Sequence, residues 1–138
     1  MHTLALSDGS RIIAGIMLIS VVTIEFGGYY LTRVVRGHMP LTDFQKAFAR
    51  AGHAHAGVLV TLGLVGLILV GATALTGFWA WVGRLGIPIA AILMPAGFFA
   101  SSAGKDVTQP NRAIWVLWSG AAVLAIGAVT LGIGLLAA

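Results

Sequence analysis

Residues 12–32 read IIAGIMLISVVTIEFGGYYLT, twenty-one positions with a single charged side chain, Glu25. As a helix this run is about 31 Å long at 1.5 Å per residue, which matches a hydrocarbon core of roughly 30 Å. A helix lying on a water-soluble domain needs a charged face, and this one has none, so it reads as a membrane span. The rest of the chain repeats the pattern. Helices are predicted at about 12–33, 44–75, 84–102 and 112–137, giving one 138-residue domain, all-α, an integral membrane four-helix bundle.

The composition agrees. Hydrophobic residues make up 59% of the chain and charged ones 9%, against about 25% charged in an ordinary soluble domain. Four spans leave no length for a soluble catalytic domain, so a nucleotide-binding enzyme and a nucleic-acid-binding module are both excluded, and any chemistry must lie between helices. The chain has no cysteine, hence neither a disulfide framework nor a thiolate metal site. A dinuclear carboxylate centre is excluded as well, because it needs several Glu residues and a Glu-x-x-His pattern.

The punctuation fits four helices. Ser7 and Asp8 can cap the first; Arg33 to Asp43, with Pro40, reads as a polar connection; Phe44 to Arg50 is amphipathic and leads into helix two. Phe78, Trp79 and Trp81 form an interfacial aromatic group. Pro88 and Pro95 fall in helix three, where Pro95 should kink it. In helix four Ala113, Gly120, Gly127 and Gly134 recur every seven residues. Such a stripe suits close packing against a neighbouring helix, a second subunit or a flat cofactor. Arg33, Arg36, Lys46, Arg50, Lys105 and Arg112 flank loops one and three, against Arg11 and Arg84 at the other end, so positive-inside favours cytoplasmic loops one and three. Met1 to Ser10 has no basic segment of a cleavable signal. The expected location is the cell inner membrane, as a multi-pass protein.

Few side chains can carry chemistry. Glu25 lies within helix one, where an ionisable group needs a partner or a function; it is either a neutral hydrogen-bonded group, a partner of Arg33, or a ligand-binding or proton-handling residue. His53 and His55 open helix two among Gly52, Ala54, Ala56 and Gly57. Positions i and i+2 point about 200° apart, so a single metal can take only one of them.

Ala49-Arg50-Ala51, followed by Ala54-His55-Ala56-Gly57, resembles the Ala-Arg-Ala-His-Ser-Gly segment of the styrene oxide isomerases, with a two-residue insertion. Gly27-Gly28, Arg11 with Ala14-Gly15, and Gly97-Phe98-Phe99 with Ser102 are further short motifs of the resemblance, and size and helix count agree across nearly the whole chain. These are small four-helix membrane enzymes that rearrange aryl epoxides to aldehydes with ferric haem b as Lewis acid. The resemblance implies haem b on His55, with His53 the ligand if the insertion is placed differently, and with Arg50 and Gly57 beside the cofactor. It also implies a homotrimer with haem near subunit contacts and a small lipophilic epoxide as substrate. The family's asparagine falls on Thr61 and its tyrosine on Phe99, which leaves one hydroxyl and no phenol where the epoxide is positioned. Tyr29 and Tyr30, at the end of helix one, could present a phenol from another direction. A haem-binding membrane protein without isomerase activity is the alternative reading.

Overall fold

In the computed structural model, which describes residues 6–138, four helices follow in order: α1 (Asp8–Val35), α2 (Asp43–Leu69), α3 (Gly77–Ser101) and α4 (Ile114–Leu136). Each is long and apolar enough to cross a membrane. The chain is a four-helix membrane bundle. Part of the Met1 to Ser10 stretch read for a leader, its first five residues, lies outside the described residues.

Helix boundaries follow local chemistry. Ser7 caps α1 by accepting from the Ser10 amide. Thr42 opens α2 with a reciprocal capping box, its hydroxyl accepting from the Gln45 amide while the Gln45 carboxamide accepts from the Thr42 amide. α2 ends six residues short of the expected limit, in a 3₁₀ turn at Val70–Ala72. α3 begins earlier than expected, at Gly77, so the aromatic group Phe78, Trp79 and Trp81 forms its first turns. Gly77 has φ +55°, a left-handed value that only glycine adopts freely, and it allows the reversal from α2. α3 then runs as one helix through Pro88 and Pro95, both buried.

The helices are unequally held. α3 and α4 pack backbone to backbone: a Cβ on Gly127 would lie 2.7 Å from Gly86 Cα, one on Gly120 would lie 2.9 Å from the Met94 nitrogen, and one on Gly97 would strike the Leu117 backbone. The glycines of the seven-residue stripe of α4 are thus occupied within the chain, Gly120 and Gly127 by α3 and Gly134 by Leu75 of the connection before it. A core of Leu59, Val60, Leu67, Ala91 and Met94 joins α2 to α3, with Met17 inserted from α1. α1 is otherwise peripheral, with Ser10, Met17 and Val34 its buried residues. Its far end is fastened to α3 by Arg84, whose Nε–H donates to Ser10 Oγ at 3.1 Å while the guanidinium stacks 4.6 Å from the Trp81 ring centre.

Loops one and three meet at the opposite end. The Gln45 amide donates to the carbonyls of Ser102 (3.0 Å) and Gly104 (2.9 Å), and Thr42 Oγ1 donates to the Val107 carbonyl. Six of the eight basic residues, Arg33, Arg36, Lys46, Arg50, Lys105 and Arg112, therefore gather at one end of the bundle.

Candidate functional site

A cavity of about 450 Å³ lies between α1, α2 and α3. Its walls are apolar, with Ile13, Met17 and Ile24 from α1, Ala56 and Val60 from α2, and Pro88, Ala91 and Pro95 from α3. Ile16 and Ile92, also on its lining, are 63% and 69% exposed, so the cavity opens sideways between α1 and α3, toward the bilayer. Its polar side chains are Ser20, Thr23 and His53. The two hydroxyls donate back to the carbonyls of Met17 (2.7 Å) and Ser20 (2.6 Å) of their own helix, which leaves His53 as the group free to act.

The His53 ring is seated against Gly27-Gly28. A Cβ on Gly27 would come within 3.3 Å of Nδ1 and one on Gly28 within 3.4 Å of Cε1, so the glycine pair makes room for the imidazole. His53 lies ten residues into α2, about 15 Å from its start. Neither ring nitrogen has a hydrogen-bond partner among the described residues. Phe99 closes the same end of the cavity, its ring packed over Gly52, where a Cβ would lie 3.0 Å from Cε2.

His55 points the other way, as the 200° separation requires. Its ring lies against Phe98 with centroids 4.9 Å apart, and Phe98 in turn stacks edge-on against Phe48 at 5.3 Å. The Nδ1 of His55 is 2.8 Å from the Ala51 carbonyl. A carbonyl only accepts, so Nδ1 carries a proton and donates it to Ala51. His55 is outside the cavity.

The remaining expected residues do not converge on either histidine. Thr61 is exposed on the outer face of α2, donating to the Gly57 carbonyl at 2.9 Å, so it does not share a site with Phe99. Gly57 is on that outer face too, with nothing within 4 Å of where a Cβ would be. Arg50 lines a separate cavity with Lys46, under loop one. Tyr29 is 60% exposed beside Phe26, and Tyr30 is half-buried; neither lines the cavity. Glu25 is exposed and does not reach Arg33, because residues eight apart on one helix are about 12 Å apart and some 80° out of line. The ion pairs among the described residues are Arg11 with Asp8 and Lys46 with Asp43.

Ser20 and Thr23 were missed as cavity residues, since small hydroxyls within a span look like helix-packing groups. The polar cavity at Lys46 was missed as well, although Lys46, Arg50 and His53 recur at i, i+4 and i+7 and so share one side of α2. No cluster of three or more His, Cys, Asp or Glu side chains able to hold a bare metal ion occurs among the described residues. Compared with known protein families, curated proteins and solved structures, the chain matches none.

Proposed function

We propose that the protein is a membrane isomerase of the styrene oxide isomerase type, taking a small lipophilic epoxide from the bilayer into the α1–α2–α3 cavity and rearranging it to a carbonyl compound with haem b. The observation that carries this reading is His53, an imidazole with no hydrogen-bond partner among the described residues that shares an apolar, laterally open cavity with Phe99. Had the ligand been His55, ligand and Phe99 would lie on different sides of α2; with His53 they face one space. The residues fit a haem on two counts. The donor set is one imidazole with no second protein ligand beside it among the described residues, and Ala56, Pro88, Ala91 and Pro95 offer apolar walls. The opening between α1 and α3 leaves the cavity unbounded on that side, and His53 would hold the macrocycle from α2.

When bound, ferric haem with a single protein ligand supplies a Lewis-acid position that draws electrons from an epoxide oxygen. The chain would do the rest. His53 holds the cofactor; Ile92 and Ile16 admit an apolar substrate from lipid; Phe99 and Val60 exclude water, so a ring-opened substrate rearranges instead of adding water. Conversion of an epoxide to an aldehyde moves hydrogen within the molecule and needs no oxidant, reductant or protein nucleophile. Phe99 donates no hydrogen bond, so the oxygen is positioned less firmly than the family's tyrosine would allow.

A second reading has its own support. Metal-bound histidines usually donate the other ring N–H to a carbonyl or carboxylate, and His55 has that posture toward Ala51. It favours a haem-binding protein in which His55, on the side of α2 that meets Phe98 of α3 and away from the cavity, is the ligand, without isomerase activity.

Detergent-purified protein from haem-replete cells, assayed by pyridine haemochrome and by conversion of styrene oxide to phenylacetaldehyde, separates the readings. The isomerase reading expects b-type haem that His53→Ala loses and His55→Ala retains. The reverse pattern supports the second reading, and absence of haem even after hemin is added removes both.

A further inference from the structure

Two further features of α2 are not part of the lining of the cavity at His53. The first is a polar cavity of about 370 Å³ at the basic end, where Lys46 and Arg50 face Val34 of α1 and Met39, Pro40 and Leu41 of loop one. Arg50 is exposed and has no carboxylate partner among the described residues; Lys46 has Asp43 at 3.2 Å, on a fully exposed side chain whose charge water screens. Three of the last carbonyls of α1 are already engaged, Thr32, Arg33 and Val34 accepting from the amides of Arg36, His38 and Gly37. Two cations, five and ten ångströms or so along α2 from its start, thus face a polar pocket at the depth of the headgroups.

The second feature continues from it. Arg50, Ala54, Gly57 and Thr61 follow at i, i+4, i+7 and i+11, a single face of α2. From Gly57 downward this face holds an open, apolar groove of about 390 Å³ bounded by Val58, Leu62 and Val65. Thr61 adds no free donor, because its hydroxyl is spent on the Gly57 carbonyl. A positive pocket set directly above an apolar groove on one helix face has the polarity of an amphiphile standing in a leaflet.

We propose that this face is a binding site for one anionic phospholipid, its phosphate held by Lys46 and Arg50 and an acyl chain laid in the groove at Gly57. A free phosphate would use the cations and leave the groove idle; a zwitterionic lipid would use the groove but bring its own quaternary ammonium up to Lys46 and Arg50. The site is independent of the His53 cavity.

The test is native mass spectrometry of the full chain in mild detergent, titrated with dioleoyl phosphatidylglycerol, with dioleoyl phosphatidylcholine and with inorganic phosphate, haem content being measured in parallel. One phosphatidylglycerol is expected to stay bound, in preference to phosphatidylcholine. Lys46→Gln with Arg50→Gln should weaken it roughly thirtyfold, about fivefold for each basic residue at an anionic surface. Gly57→Trp fills the groove without changing charge and should weaken the lipid while phosphate binding is unaffected. Lys105→Gln with Arg112→Gln, at the same end but outside the pocket, should leave lipid affinity unchanged. Arg50→Gln alone serves if the double variant does not give a monodisperse protein. The proposal is overturned if phosphatidylcholine binds equally well, if phosphate alone displaces the lipid at equal concentration, if the loop-three pair matters as much as Lys46 and Arg50, or if the Lys46 and Arg50 variants lose haem and keep lipid.

Discussion

Replacing Gly127 by alanine puts one methyl group into a backbone-to-backbone contact of α3 and α4. The new Cβ would lie 2.7 Å from Gly86 Cα, 3.1 Å from Gly86 carbonyl carbon and 3.3 Å from the Ile87 nitrogen. Carbon atoms rest about 3.5–4.0 Å apart, so α3 and α4 must separate by roughly 1 Å. All three obstructing atoms are backbone, and no side-chain rotamer can absorb the clash. Overpacking of this kind destabilises by about 1–3 kcal/mol, and the rigid contact places it near the upper figure. Alanine also favours the helix by up to about 1 kcal/mol over glycine, leaving a net loss of about 2 kcal/mol. Gly132→Ala, five residues on in the same helix, has nothing within 4 Å of its Cβ; it keeps the propensity gain without the clash. The two variants should therefore differ by about 3 kcal/mol in denaturant unfolding from detergent micelles, followed by the fluorescence of Trp115 and Trp118 on α4. A difference below ~0.5 kcal/mol, the usual range for surface substitutions, would refute the direct α3–α4 contact and return the stripe of α4 to a role between subunits.

Other outcomes can be stated more briefly. Phe99→Tyr should raise styrene oxide isomerisation at constant haem content, since a phenol would then face the His53 cavity; adding Thr61→Asn should bring no further gain, because Thr61 is on the outer face of α2. Gln45→Ala leaves the Ser102 and Gly104 carbonyls without their donor and should destabilise by about 2–3 kcal/mol, with faster amide exchange in loops one and three as the measurement. Gly28→Val should displace the His53 ring, which already sits 3.4 Å from the Cβ position; weaker haem retention than in the wild type, by pyridine haemochrome, is expected, and unchanged retention would argue against His53 as ligand. Arg84→Gln removes the bond to Ser10 and the stacking on Trp81; it should loosen α1 by about 1 kcal/mol, visible as faster proteolysis near Asp8.

The spans were legible because hydropathy over twenty residues is a long-range signal that local detail hardly disturbs. Boundaries were less so: Phe78, Trp79 and Trp81 read as an interfacial group between helices, and nothing in their side chains says that Gly77 reverses the chain early enough for them to start α3. The divergence of His53 and His55 was legible from the helical period alone. Which of them meets a cavity was not, since that depends on where α1 lands, and the decisive residues are Gly27 and Gly28, whose part is to be small. Thr61 was misplaced for a similar reason: a count of six residues along α2 fixes its height but says nothing of which neighbour covers that side.

The uneven fastening of the helices has a consequence for the cavity. α3 and α4 are locked through their glycines and α2 is joined to α3 by the core, so two walls are rigid, whereas α1 is inserted chiefly through Met17 and fastened near its ends. The third wall is pressed from outside by acyl chains. The width of the opening between α1 and α3 therefore follows the lateral pressure of the surrounding leaflet, and the same chain should admit bulkier guests in a loosely packed, unsaturated bilayer than in an ordered, saturated one.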